Sequence, residues 1–130
     1  VIPLQVAGAF HTAYMASAVE HVATLAAATT PRDAAIDLLS NADGEVVRDG
    51  RDALTRLVAQ IANPVRWDLC QESLANLGVT GMIELAPGGV LAGLAKRTLR
   101  GVETVAVKTP EDLEAAADLI ARHASAGAEA

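Results

Sequence analysis

Apolar positions along this 130-residue chain change period several times, and the changes mark out its elements. Residues 3–8 form an apolar run that reads as a strand and ends in a small-residue corner. From Thr12 to about Ala28, Tyr14, Ala18, Val22 and Leu25 recur at helical spacing, with Thr12 as N-cap and Thr29-Thr30-Pro31 as the stop. Ile36 to Ser40 is a short strand, closed by the turn chemistry of Asn41-Ala42-Asp43-Gly44, with Glu45-Val46-Val47 as a returning hairpin arm. A helix over about 50–62 places Leu54, Leu57, Val58 and Ile61 on one face, and Asn63-Pro64 ends it. Further helices are predicted over about 67–77, stopped by Gly78, and from Pro87-Gly88-Gly89 to Leu99. Strands fall over 79–85 and 102–107, and Thr109-Pro110-Glu111-Asp112 opens the last helix. Beyond about His123 the small residues of 125–130 predict a disordered tail. Strands alternating with helices predict an α/β fold with a mainly parallel sheet.

Composition narrows the reading. Hydrophobic residues make up 52% of the chain and aromatics only 2%, so the apolar surface is mostly Ala, Val and Leu, and much of it is expected to pack against a neighbour. With no Met at its start and an apolar strand already under way there, the chain is expected to be the C-terminal part of a larger protein. The formal charge of −6 argues against nucleic acid as a partner. No apolar run approaches the roughly 20 residues of a membrane span, and a lone cysteine fits a reducing cytoplasm.

Two positions carry candidate chemistry. His11 follows the corner Gly8-Ala9-Phe10 at a strand-to-helix junction, where a rigid backbone can hold an imidazole toward a cleft. Such a histidine is either a general base or a satisfied structural residue. Gln60 lies in the last turn of its helix, where the carbonyls have no helical partner, so its backbone oxygen is available to orient an imidazole. The three histidines lack the spacing of a metal site, and no metal is expected. Cys70 shares a face with Trp67, Leu74 and Leu77, which predicts a packed thiol, and His123 is expected to be exposed near the helix end. Pro87-Gly88-Gly89 reads as a tight turn or a phosphate seat. Lys96, Arg97 and Arg100, with Arg48, Arg51 and Arg56 as a second patch, read either as dipole-placed charges or as contacts for an acidic protein.

Four blocks occur in register: Gly8-Ala9-Phe10-His11-Thr12, Ser40-Asn41-Ala42-Asp43-Gly44, Gln60-Ile61-Ala62-Asn63-Pro64-Val65-Arg66-Trp67 and Glu84-Leu85-Ala86-Pro87-Gly88-Gly89-Val90-Leu91. Together they resemble the C-terminal part of malonyl-CoA:acyl-carrier-protein transacylases and of the related acyltransferase domains of polyketide synthases. The resemblance runs from Leu4 to about His123. It implies the C-terminal portion of an α/β-hydrolase-like acyltransferase domain. Residues 1–8 would be the exit strand of an inserted ferredoxin-like small subdomain, 9–124 part of the large subdomain, and 125–130 the tail.

The implied activity is S-malonyl transfer in fatty-acid synthesis through a serine acyl-enzyme. Malonyl-CoA would be the substrate and acyl carrier protein the acceptor, with no further cofactor. His11 would be the general base, the Gln60 carbonyl its orienter, and Phe10 the ring that favours unbranched malonyl. The family's Gly-x-Ser-x-Gly elbow is absent here: Ser17, Ser40, Ser73 and Ser125 do not lie between glycines. The expectation is therefore a chain that supplies base and orienter and needs the missing N-terminal half of the same enzyme. Rival readings are a polyketide synthase acyltransferase fragment, or a non-catalytic α/β fragment that binds a partner.

Overall fold

A computed structural model of the chain describes residues 8–126; residues 1–7 of the expected exit strand, and 127–130 of the expected tail, lie outside the described residues. The described residues form two compact units, one through Ser73 and one from Leu74 onward.

In the first unit, the Thr12 side chain accepts from Tyr14 N–H and caps a short 3₁₀ helix, Ala13–Met15, which leads into α1 (Ala16–Ala27). None of the twelve residues of α1 is buried. Its face carrying Ala23, Ala26 and Ala27 lies toward Arg51, Leu54 and Val58 of α2 (Gly50–Gln60). The Asp49 carboxylate accepts from Asp52 N–H at 2.7 Å and caps α2. Strands β1 (Leu38–Leu39) and β2 (Val46–Val47) pair antiparallel, Leu38 with Val47 and Leu39 with Val46. The turn between them requires glycine. Gly44 has φ +75°, and a Cβ there would sit 2.6 Å from the Leu69 carbonyl carbon.

That turn is fastened from below by α3 (Trp67–Asn76). Ser73 Oγ donates to the Gly44 carbonyl at 2.7 Å, and Cys70 Sγ lies 3.4 Å from the Ser40 carbonyl oxygen. Cys70 is 1% exposed, and burial pushes its thiol pKa up, as expected of a packed rather than a reactive cysteine.

The second unit is a parallel pair. Strand β3 (Gly81–Leu85) runs alongside β4 (Glu103–Val107), from Gly81 opposite Glu103 to Leu85 opposite Val107, and α4 (Val90–Thr98) lies between them in sequence. Ala92, Ala95 and Leu99 are buried, as are Val107 and, from α5 (Leu113–Ala126), Ala116 and Leu119. Spacings of three and four place each helical set on one face. A capping box between Thr109 and Asp112 opens the segment that becomes α5. The helix reaches Ala126, so Ser125 and Ala126, expected in the tail, are helical.

His123 also differs from expectation. Its side chain is 25% exposed, with Nδ1 2.8 Å from Thr80 Oγ1 and Nε2 3.2 Å from Glu103 Oε2. Gly81 allows this approach, since a Cβ there would meet Leu119 Cδ2 at 2.9 Å and the imidazole Cδ2 at 3.1 Å. The hydrogen bond from Arg122, followed by that from His123, holds the Glu103 carboxyl below its ordinary range.

Candidate active site

The corner before α1 holds His11 in the left-handed region, at φ +57°. This is an uncommon place for a side chain, one histidine enters more readily than most, and it costs roughly 1–3 kcal/mol that the surroundings must offset. Part of the support is local, because Thr12 Oγ1–H donates to the Ala9 carbonyl at 2.7 Å and ties the corner on itself. The rest comes from 49 residues away. His11 Nδ1 lies 2.8 Å from the backbone carbonyl oxygen of Gln60. A carbonyl only accepts, so Nδ1 carries the proton and the Nε2 lone pair is left free to take another.

Gln60 is 8% exposed. Its carbonyl oxygen also receives Asn63 N–H at 3.3 Å, so two donors share the two lone pairs. Its side chain does further work that the sequence did not disclose. Nε2 donates to the Asn63 carbonyl at 2.8 Å and to the Pro64 carbonyl at 2.9 Å, closing the turn that follows α2. Asn63 Nδ2 donates to the Ala59 carbonyl at 2.6 Å. Past the turn, Arg66 N–H donates to the Asn41 carbonyl at 2.7 Å and links this loop to the Ser40–Gly44 turn.

Arg56 supports the same turn from α2. Its guanidinium bonds Asp43 Oδ2 at 2.6 Å and Asp52 Oδ2 at 3.0 Å. Asp43 is held below the usual carboxylate range, first by the hydrogen bond from Glu45 N–H and then by Arg56. Arg56 and Arg48, which pairs with Asp37, are thus already neutralised, and Arg51 Nη1 donates to the Ala26 carbonyl. Within the second basic patch, Arg48 and Arg56 are thus paired with carboxylates, while Arg51 meets only a backbone carbonyl among the described residues. Lys96, Arg97 and Arg100 are exposed, and among the described residues none of them is ion-paired.

Phe10 is 58% exposed beside His11 in the chain. Ser40 and Ser73 are consumed by the turn, and among the described residues no serine hydroxyl is hydrogen-bonded to His11. Among the same residues no three His, Cys, Asp or Glu side chains converge as a metal site would require. His21 is exposed on α1.

The Pro87-Gly88-Gly89 turn is not a vacant phosphate seat, because Glu84 fills it. Its carboxylate accepts from Gly89 N–H at 2.7 Å, Ala92 N–H at 2.8 Å and Leu91 N–H at 3.1 Å. The bond from Ala92 N–H, with those from the other amides, holds this carboxyl below its ordinary range. Helix N-termini favour an anion, and α4 receives one from its own chain. The signal was in the sequence: an acid inside an apolar strand, five residues before the N-cap glycine of the next helix.

Relatives share this arrangement of elements. Over 115 residues the chain is 49% identical to the malonyl CoA-acyl carrier protein transacylase of Mycolicibacterium smegmatis, covering 85% of this chain and 40% of that protein. The crystal structure of the corresponding Mycobacterium tuberculosis transacylase superposes with a TM-score of 0.79 at 49% identity, over 85% of this chain and 36% of that one. A malonyl-transacylase solved in complex with a type II polyketide synthase acyl-carrier protein superposes at 0.77 with 29% identity, over 86% and 36%. No protein-family model matches the chain. The fold and these likenesses define the class, an α/β segment of acyltransferase type. Within that class the chain is homologous to the C-terminal portion of the malonyl CoA-acyl carrier protein transacylases, and it spans less than half the length of the relatives it matches.

Proposed function

We propose that this chain supplies the general base of a malonyl-CoA:acyl-carrier-protein S-malonyltransferase, and that it acts with a serine borne by the portion of the transacylase that the relatives have and these residues do not. The observation that carries the reading is the 2.8 Å contact from His11 Nδ1–H to the Gln60 carbonyl, which leaves Nε2 basic. In the first half-reaction Nε2 takes the serine hydroxyl proton as the oxygen attacks the malonyl thioester. The tetrahedral adduct collapses, the C–S bond breaks, and the imidazolium returns the proton to the departing coenzyme A thiolate. In the second half the carrier's phosphopantetheine thiol gives its proton to Nε2 and attacks the seryl ester, and the serine oxygen leaves with that proton. A carbonyl orienter performs the aiming role of a triad carboxylate without adding charge.

Phe10 is the specificity element of this reading: a ring next to the base leaves little room for an α-methyl on the acyl group. Lys96 and Arg97, at the end of α4 and without an ion-pair partner among the described residues, are the contacts for an acidic carrier protein. The setting is cytoplasmic fatty-acid synthesis. A polyketide synthase setting is the second reading, favoured by the solved transacylase that holds such a carrier.

The test uses the whole protein that contains these residues. His11→Ala should slow malonyl loading, followed by intact mass after rapid mixing with malonyl-CoA, by roughly 10²–10⁴-fold. An unchanged loading rate would remove His11 as the base.

A further inference from the structure

The role given above to position 60 uses only its backbone oxygen, which any residue possesses, yet the side chain there is a buried amide with both N–H groups engaged. Nε2 bridges the Asn63 and Pro64 carbonyls at 2.8 and 2.9 Å, while the same residue's carbonyl meets His11 Nδ1 at 2.8 Å. We propose that the Gln60 side-chain amide is the positioning device that aims the carbonyl at His11. The proposal deepens the reading of His11 as a base and rests on it for its catalytic meaning, though not for its geometry.

Terminal carbonyls of a helix fray, and their direction is set by the residues that follow. Here the backbone bonds that close α2 are long: Asn63 N–H, Ala62 N–H and Ile61 N–H each reach their carbonyls at 3.3 Å. Pro64 contributes no N–H, so it cannot help. The two shorter bonds from Nε2 replace that missing constraint by joining the residue whose carbonyl must point correctly to the residues three and four positions further on. Asn63 also donates to Ala59, but that bond leaves the Gln60 peptide unconstrained. Reach is specific as well: asparagine is one methylene shorter, and glutamate offers oxygens to oxygens.

A tautomer measurement tests this independently of turnover. In the native chain, long-range ¹H–¹⁵N spectra of His11 should show Nδ1–H as the dominant neutral form. Gln60→Met, of similar length but without donors, should shift the ring toward a mixture with Nε2–H. Asn63→Ala removes a helix-end bond but keeps the clamp, and should leave the tautomer as in the native chain. A Gln60→Met spectrum still dominated by Nδ1–H overturns the proposal. Should that variant not fold, the native chain decides. The two Nε2 protons should be separately resolved and slow to exchange, and exchange at the rate of a free glutamine amide refutes the clamp. Failure of His11→Ala to slow loading would sink the proposed function while leaving these spectra untouched, so the two readings fall separately.

Discussion

Gln60→Glu converts the clamp into its opposite and can be followed by stability alone. The amide makes two bonds, at 2.8 and 2.9 Å, from a position only 8% exposed. Their loss costs roughly 1–3 kcal/mol at about 0.5–1.5 each. A carboxylate there would also face two carbonyl oxygens with no cation among its hydrogen-bond partners, and an uncompensated buried charge adds enough to bring the total to about 3 kcal/mol or more near neutral pH. The pH dependence has a definite sign. The introduced carboxyl is easier to bury neutral, so its folded pKa lies above its unfolded value of about 4.3, and the variant loses stability as pH rises through that interval. As pH falls toward about 4.5, the protonated acid can donate to one carbonyl and part of the deficit disappears. Urea midpoints of Gln60→Glu and Gln60→Met, each referred to the native chain at about pH 4.5 and 7.5, separate the contributions. The methionine deficit should be flat with pH and the glutamate deficit should grow. Equal and pH-independent deficits, or a glutamate deficit below about 0.5 kcal/mol, would rule out a buried donor clamp at this position.

Three further outcomes are expected. Phe10→Ala should raise acceptance of methylmalonyl relative to malonyl by about tenfold or more, since one methyl in a fitted pocket is worth ~1–3 kcal/mol; an unchanged ratio of kcat/KM values contradicts the specificity role. Lys96→Glu with Arg97→Glu should raise KM for the carrier protein and leave KM for malonyl-CoA alone, in steady-state kinetics with each substrate varied; an unchanged carrier KM removes the docking role. The Glu84 carboxyl is held below its ordinary value by the α4 amides, so its contribution is present above that value and is lost as pH falls through the lowered folded pKa. Glu84→Gln should therefore lower Tm at neutral pH and converge on the native chain in acid; a constant gap across the titration contradicts the cap.

The regular elements were legible because their signals are local. Leu54, Leu57, Val58 and Ile61 declared one face of α2, Asn63-Pro64 its end, and Asn41-Ala42-Asp43-Gly44 the hairpin turn, and β1 to β4, α2, α3 and α4 lie within a residue or two of their expected bounds. The parallel pairing of β3 with β4 followed from the helix between them. What stayed hidden were long-range polar choices. A histidine near a chain end looks exposed until Thr80 and Glu103, 43 and 20 residues away, are brought beside it. The Arg56 patch looked free until the fold placed Asp43 against it. The helical face of α1 was readable, but its burial was not: the face turned to α2 is only half-covered, and none of the helix's residues is buried. In the site, the availability of the Gln60 carbonyl follows from helix-end geometry, whereas the clamp depends on how the two peptide groups on either side of Pro64 orient. Periodicity carries no information about that.

The left-handed backbone at His11 also limits how this position can change by substitution. At φ +57° a β-branched or bulky residue pays strain from the first step, while glycine, asparagine and aspartate enter most easily. None of these three replaces an imidazole as a base near neutral pH. The substitutions the backbone tolerates are therefore those that abolish the chemistry, and a different base here would require the Gly8–Thr12 corner to be rebuilt first. The fold makes position 11 an adaptive dead end, conservative in its chemistry because it is confined in its backbone.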